Sequence, residues 1–403
     1  MSDPRLTPQP WMTLGETRQV MAALNREREV ARFVGGCVRN ALLGEAVEDI
    51  DIATSLTPQE VIRKLTDAGL RVIETGLAHG TVTAIAQGKP FEITTLRIDV
   101  ETDGRRANVA FTDDWARDAA RRDFTINGLF ANEAGMIFDF VGGLSDIAAH
   151  RVRFIGNPDA RIAEDYLRIL RFFRFSAWYG AEPLDGAGMD AIKRHLDGLG
   201  GLSAERVQKE FLRLLAAPEP VHVLREMEKC GVLGRLLPQA THLDVLHRLI
   251  GGGAPGDPLA RLSALIGAGA APGVSALLRL SNAMADRLAL LTRDDLVLED
   301  DRARRHALYR FGREVVIDIA LLMQARGTLS GEALKAVLVQ AKLWNKPAFP
   351  LSGDDVLARG IAPGPAVGDM LRALETWWID ESFHPDRTAL EARLDALAKK
   401  SAG

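Results

Sequence analysis

Residues 33–44 constrain the fold most, because with residues 48–54 their pattern predicts a strand, a Gly-Gly turn, a short helix and a second strand. Asp49 and Asp51 are two residues apart on that second strand, and side chains at i and i+2 of a strand share a face. The two isoleucines beside them then point into a core. Adjacent carboxylates repel each other, so the pair favours a site for a divalent cation such as Mg²⁺ over a solvated strand edge.

The turn before the short helix favours phosphate binding. Gly35 and Gly36 let the backbone approach a ligand closely, and the N-terminus of the following helix attracts anions. Arg39 lies in the first turns of that helix. A metal site on one strand beside a phosphate site on the adjacent turn is the arrangement used for phosphoryl or nucleotidyl transfer.

Length and composition narrow the class of protein. A chain of 403 residues is too long for one core and is expected to form about two to four domains. The net charge of −4 provides no global basic field, so a nucleic-acid partner needs local basic patches. Two distant cysteines, Cys37 and Cys230, argue against a disulfide framework. With no signal peptide or membrane-spanning run in the sequence, we expect a cytoplasmic protein.

A β-rich stretch follows a helix that starts with the Thr57 and Glu60 capping pattern. We predict strands over residues 70–74, 81–86 and 91–96, with a hairpin turn at 87–90. Glu92 could be a third carboxylate facing the metal, but the pattern slightly favours an exposed strand face. Residues 97–111 are polar and read as a mobile loop beside the phosphate site, or as a solvated connection.

Basic residues recur in the next 60 positions. Arg122 could neutralise phosphate oxygens, or could pair with Asp118 or Asp123. A single long helix is predicted over residues 157–179, and one row along it carries Asp165, Arg168, Arg171 and Arg174. Three arginines with one acid leave unpaired charge beside an apolar face, which favours an anion or a polar base edge as the partner.

Past residue 202 the pattern is one helix after another, interrupted by the Gly- and Pro-rich segment 251–258. A basic cluster at residues 301–306 could contact a phosphate backbone, although a solvated helix face is the commoner explanation for such a run.

A set of motifs, which includes several of those described above, carries a family resemblance. They are Gly35-Gly-Cys-Val-Arg39, Leu42-Leu-Gly44, Asp49-Ile-Asp-Ile-Ala-Thr54, His79-Gly-Thr-Val, Arg121-Arg-Asp-Phe-Thr-Ile-Asn127, Glu164-Asp-Tyr-Leu-Arg168, and Ser203-Ala-Glu-Arg206 with Glu210.

In this order, over residues 30–215, the motifs resemble the class II tRNA nucleotidyltransferases (CCA-adding enzymes) and the related bacterial poly(A) polymerases. The resemblance implies an α+β fold: a catalytic head of nucleotidyltransferase fold with a small mixed sheet (residues 1–150), then an all-helical neck that reads the base (151–218) and a helical body and tail that bind RNA (219–403). It implies addition of C, C and A to the 3′ end of tRNA from CTP and ATP, without a template and with release of pyrophosphate.

The resemblance also implies roles for single residues. Asp49 and Asp51 would hold Mg²⁺ and be catalytic, in a two-metal reaction. The nucleotide would be bound by Gly36, Arg39, Arg122, Asp165, Arg168, Arg171 and Arg174. Asp165 and Arg168 would read its Watson–Crick edge, because Asp accepts from an exocyclic amine and Arg donates to ring nitrogen or carbonyl. No membrane or DNA partner is expected.

One residue departs from the family pattern, and two other functions stay open. The family usually has Asp after the arginine of the first motif, whereas this chain has Asn40, which keeps an acceptor but loses the charge. The same chemistry could yield a poly(A) polymerase or an enzyme that adds only CC or only A. A non-catalytic RNA-binding protein of the same fold is a further alternative, which the intact Asp pair argues against.

Overall fold

The computed structural model describes residues 4–102 and 107–401. The chain divides into two compact units, Met1–Pro238 and Gln239–Gly403. The first unit holds the β-structure together with helices, and the described part of the second is built from helices. This architecture confirms the predicted α+β class. The division into head, neck, and body with tail stays a prediction.

The first unit is organised around a mixed sheet. Seven strands pair in the order β3-β4-β5-β2-β1-β8-β9, and β6 and β7 form a separate two-stranded ribbon. Within the large sheet β2 and β5 run parallel and the other neighbours are antiparallel. The strands are β1 (Ala31–Val34), β2 (Asp51–Thr54), β3 (Arg71–Gly76), β4 (Thr81–Ala86), β5 (Lys89–Thr95), β6 (Arg97–Thr102), β7 (Ala107–Phe111), β8 (Leu129–Ala131) and β9 (Ile137–Asp139).

Twelve helices complete the described part of the first unit. They are α1 (Pro10–Thr13), α2 (Gly15–Leu24), α3 (Gly36–Leu43), α4 (Pro58–Asp67), α5 (Trp115–Ala120), α6 (Gly143–Ala148), α7 (Pro158–Glu164), α8 (Leu167–Tyr179), α9 (Gly186–Arg194), α10 (Ala204–Leu215), α11 (Val221–Lys229) and α12 (Val232–Leu236). Short 3-10 turns lie at Leu77–His79, Thr125–Asn127 and Leu196–Gly201.

The predicted strand, turn, helix and strand are present, with one shift. Gly35 has φ +69°, a left-handed conformation that glycine adopts without strain, and α3 begins at the next residue. Ile50 and Ile52 are buried. However, β2 begins only at Asp51, so Asp49 lies two residues before the strand rather than on it.

Local signals account for the neighbouring elements. The Thr57 side chain caps α4 and Glu60 completes the capping box, as predicted. Strands β4 and β5 pair from Ala86 and Lys89 outwards, which confirms the hairpin. The predicted loop 97–111 was wrong, because β6 and β7 pair there and satisfy each other's backbone groups. Residues 103–106 lie outside the described part.

The predicted single helix over residues 157–179 was also wrong. Helix α7 ends at Glu164 and α8 starts at Leu167, with Asp165 extended at φ −158°. The Asp165 side chain accepts a hydrogen bond from the Leu167 backbone N–H at 3.1 Å. Such local bonds compete with helical backbone bonding, which explains the break.

Helix α8 packs into the first unit through phenylalanines. Phe172 stacks on Phe154 with 5.5 Å between ring centroids, and Phe124 lies 5.0 Å from Phe154 and 5.3 Å from Phe175. Phe124, Phe154 and Phe172 are fully buried. This cluster fixes the height and rotation of α8 in the unit.

The described part of the second unit contains ten helices, including the seven predicted between residues 259 and 379. They are α13 (Leu243–Gly251), α14 (Pro258–Leu265), α15 (Ala271–Leu277), α16 (Asn282–Leu291), α17 (Asp301–Phe311), α18 (Arg313–Arg326), α19 (Gly331–Lys342), α20 (Gly353–Leu357), α21 (Pro365–Asp380) and α22 (Arg387–Ser401). None of the helices over the described residues is long and apolar enough to cross a bilayer.

The basic cluster on α17 has internal partners. Arg302 and His306 both contact Asp380 on α21, and Arg305 pairs with Asp301. The solvated-helix explanation therefore accounts for these charges better than a phosphate contact does.

The aromatic cluster gives a stability test. Phe172→Ala should lower the free energy of unfolding by about 3–5 kcal/mol, because it removes a fully buried ring and leaves a cavity. Phe140→Ala, a matched change at a residue that is 44% exposed, should cost less than about 1 kcal/mol. Chemical denaturation followed by fluorescence measures both. Equal losses would show that the cluster does not anchor α8.

Candidate active site

Three carboxylates lie at one end of the large sheet. The parallel register of β2 and β5 sets Asp51 opposite Glu92. Asp49 is exposed, and Asp51 is half-buried. Burial raises the pKa of Asp51 to about 6; the charges of Glu92 and Asp49 add to this rise, and Arg122 and Arg39 oppose it. The site thus disfavours its own negative charge.

This donor set suits a hard divalent cation. Carboxylate oxygens are the ligands that Mg²⁺ and similar ions prefer, and Mg²⁺ is commonly held by one or two carboxylates with waters and substrate phosphates. Over residues 4–102 and 107–401, no three His, Cys, Asp or Glu side chains converge closely enough to hold an ion by themselves. A cation bound here therefore needs oxygens from a ligand as well.

The glycine turn lies at the same end of the sheet. Strand β1 pairs with β2 so that Phe33 is opposite Ile52, and Gly35 follows the last residue of β1 at the end where β2 begins with Asp51. The Cys37 thiol, in the first turn of α3, lies 3.7 Å from the main-chain oxygen of Asp51. Burial raises the Cys37 pKa to about 12, so this thiol stays neutral. The N-terminus of α3 has no side-chain cap, which leaves its first N–H groups for an anion.

The structure holds Arg39 beneath this turn and not in solvent. Its side chain is buried, and a Cβ added at Gly36 would lie 3.8 Å from Nη2. It donates hydrogen bonds to Asn40, Asn127 and Tyr179. Arg39 is therefore a fixed cation behind the backbone that would meet a phosphate.

Arg122 also lies close to the glycine turn. Its Nη1 would be 3.6 Å from a Cβ added at Gly35. The salt bridge to Asp118 that the sequence left open is present, with Nη2 2.9 Å from Oδ2, and Arg121 shares the same carboxylate. Although burial works the other way, these two arginines lower the pKa of Asp118. Arg122 is thus oriented beside the glycine turn by a buried anion.

Asp165 and Arg168 flank the break between α7 and α8. Oδ2 of Asp165 accepts a hydrogen bond from Arg206 at 2.6 Å. Arg168 pairs with Glu164 and donates to the Arg161 carbonyl at 2.9 Å. Both side chains are partly exposed. They are held in place yet keep a polar edge open to a ligand.

The prediction that the arginines of α8 carry unpaired charge was wrong. Arg168 pairs with Glu164, Arg171 with Asp123 at 2.6 Å, and Arg174 with Glu210 at 2.5 Å. Asp123 and Glu210 lie in segments that are distant from α8 in the sequence, so the spacing of charged residues along the helix did not reveal them.

Glu92 is exposed, as the sequence pattern slightly favoured, whereas sequence reasoning missed the contacts of Asp123 and Tyr179. Glu92 alternates with buried Phe91 and Ile93, and this alternation identifies the face opposite the core. Only the parallel pairing with β2, however, shows that this face is shared with Asp51. Asp123 bonds Arg171 and the amide of Asn127. No local pattern predicts such a contact.

Comparison with known proteins defines the class. Residues 31–153 match the family model of the poly A polymerase head domain, and residues 185–243 match that of a probable RNA and SrmB- binding site of polymerase A. The Bacillus stearothermophilus CCA-adding enzyme, solved with CTP, aligns over 98% of this chain and 99% of its own, with a TM-score of 0.78 and 24% identity. The chain therefore has the fold of this CCA-adding enzyme.

Relatives with similar sequences identify the family to which the chain belongs. The chain is 34% identical over 382 residues to the Homo sapiens protein named CCA tRNA nucleotidyltransferase 1, mitochondrial, which covers 91% of this chain and 86% of the relative. It is 30% identical over 409 residues to the CCA-adding enzyme of Streptococcus pneumoniae, covering 97% and 99%. The chain belongs to the CCA tRNA nucleotidyltransferase family.

The raised pKa of Asp51 gives a pH test in EDTA. The pKa of Asp51 is about 6 in the folded protein and lower in the unfolded chain. Its ionisation therefore lowers the free energy of unfolding as the pH rises from about 4 to 6. Asp51→Asn removes that ionisation, so at pH 8 the variant should be about 2–3 kcal/mol more stable than the wild type, and at pH 4 about equal. Denaturant unfolding at both pH values measures the difference. A difference in stability that does not depend on pH would contradict the raised pKa of Asp51.

Proposed function

We propose that the protein adds C, C and A to the 3′ end of tRNA, from CTP and ATP, with release of pyrophosphate. One observation carries the proposal: in a chain of this family, the sheet register sets Asp51 opposite Glu92 at the end of the sheet next to the glycine turn, and the charge of Asp49 acts on Asp51. Mg²⁺ is the proposed ion, held by Asp49 and Asp51, with Glu92 as a third carboxylate. When bound it supplies a lower pKa for the attacking 3′-hydroxyl and charge stabilisation for the leaving group.

The protein's own groups orient the triphosphate. The backbone N–H groups at Gly36 and the following turn of α3 donate hydrogen bonds to its oxygens, and Arg122 adds a planar guanidinium beside Gly35. Arg39 contributes positive charge from beneath the turn. Fixed donors of this kind stabilise charge that develops during the reaction without reorganising.

Base selection is assigned to the break between α7 and α8. Cytosine and adenine both present an exocyclic amine, for which Asp165 is an acceptor, and a neighbouring ring nitrogen, to which Arg168 can donate. To meet a base, each side chain exchanges part of its bonding to Arg206 or Glu164. Arg171 and Arg174 extend the nucleotide site along α8. Residues 219–403 are proposed to bind the tRNA, and the cytoplasm is the proposed location.

The direct test uses a tRNA that lacks its 3′ CCA, with each NTP alone and in combination. We expect incorporation of two C and one A and then arrest, and Asp49→Ala should abolish addition while tRNA still binds. Glu92→Gln should slow addition at least tenfold, whereas Glu74→Gln, an exposed change on β3, should alter it less than twofold. Long A tails would identify a poly(A) polymerase, CC or A alone would identify a partial enzyme, and binding without addition would favour the non-catalytic alternative.

Arg168 provides the test of base selection. Arg168→Ala should reduce discrimination of CTP and ATP against UTP and GTP at least tenfold, because the donor to the base is lost. Arg194→Ala, which removes an exposed partner of Asp159, is the control for losing an arginine. Competition assays with mixed NTPs measure the ratios, and a variant that keeps wild-type preference would place base reading elsewhere.

A further inference from the structure

Arg39 is a buried cation whose hydrogen-bond acceptors are all neutral. Nη1 donates to Oδ1 of Asn127 at 2.5 Å and Nη2 to the Tyr179 hydroxyl at 2.9 Å. Oδ1 of Asn40 accepts from both Nε, at 3.1 Å, and Nη2, at 2.8 Å. The guanidinium also lies 4.2 Å from the Tyr179 ring centroid and 5.2 Å from that of Phe175. Within the described chain, no carboxylate is at ion-pair distance from it.

The other arginines of the site are different. Arg122, Arg171 and Arg174 each pair with a carboxylate that is almost fully buried. Arg39 is itself only 7% exposed, so water screens its charge little, and the carboxylates that act on it, Asp51 and Asp123, do so without forming an ion pair. An uncompensated buried charge is costly, and an anionic ligand nearby recovers that cost.

The side chain of Asn40 is suited to this neutrality. While its Oδ1 accepts from Arg39, its Nδ2 donates to the Ala46 carbonyl at 2.8 Å. A carboxylate at this position would keep the bonds to Arg39 and turn them into an ion pair, and it could not donate to Ala46. The amide therefore holds both the arginine and the segment after α3 without adding charge.

We infer that Asn40, Asn127 and Tyr179 form a neutral cage that leaves the charge of Arg39 available to the triphosphate, which makes Asn40 a positioning residue for nucleotide affinity. This inference rests on the proposed function. The cage lies directly beneath the phosphate-facing turn, since Nη2 would be 3.8 Å from a Cβ at Gly36. Tyr179 is the last residue of α8, so the same cation is bonded to the helix that carries the base-reading residues.

Asn40→Asp tests the cage, because it changes the charge and keeps the acceptor. It should raise the KM for CTP and for ATP by the same factor, fivefold or more, with kcat changed less than twofold, since both nucleotides carry the same triphosphate. Asn40→Ala removes the acceptor without adding charge, so it should raise both KM values by a smaller factor than Asn40→Asp does. Gln19→Glu adds the same charge at an exposed position of α2 and should change neither constant. Thermal unfolding checks that each variant is folded.

The outcomes separate the two proposals. If the wild-type enzyme adds no C or A, the proposed function fails. If the wild type is active and Asn40→Asp keeps its KM within twofold, the cage is wrong. A larger KM effect for Asn40→Ala than for Asn40→Asp would also overturn it, because that order indicates a structural clamp. Should Asn40→Asp not fold, Arg39→Gln decides, because it removes the charge that the cage leaves available: equal rises in both KM values support the cage, and KM values within twofold of wild type contradict it.

Discussion

The candidate active site depends on repulsion among the carboxylates at one end of the large sheet. Asp51 and Glu92 face each other across parallel strands, with Asp49 just before the first of them. Parallel pairing is the unusual element in an otherwise antiparallel sheet, and it sets this register. Burial, together with the charges of Glu92 and Asp49, raises the pKa of Asp51 to about 6. Such an arrangement costs stability, and binding a cation with its phosphate ligand relieves that cost.

Arginines balance this negative end, and the fold orients them through buried anions. Asp118 orients Arg122, while Asp123 bonds Arg171 and, through the amide of Asn127, reaches Arg39. The bonds run from α3 through the segment after α5 to α8. They give a continuous path from Arg39, proposed for the phosphates, to Arg171, proposed to extend the nucleotide site along α8. Because the members share partners, single substitutions along this path should not be additive.

Elements with a local cause could be predicted from the sequence, and contacts between distant segments could not. The Gly35 turn, the cap at Thr57 and the burial of Ile50 each follow from residues within a few positions. The helix break at Asp165 also has a local cause, yet helical periodicity on both sides concealed it. The partner of Arg174 lies 36 residues away, so its pairing became visible only in the fold.

The central claim is that Asp49 and Asp51 bind a divalent ion together with a nucleotide held by the first turn of α3. Anomalous diffraction from crystals soaked with Mn²⁺ and CTP tests it most directly. We expect an anomalous peak for Mn²⁺ within coordination distance of both carboxylates, with triphosphate oxygens completing the coordination shell beside Gly36. A peak elsewhere, or a triphosphate bound away from this turn, would contradict it.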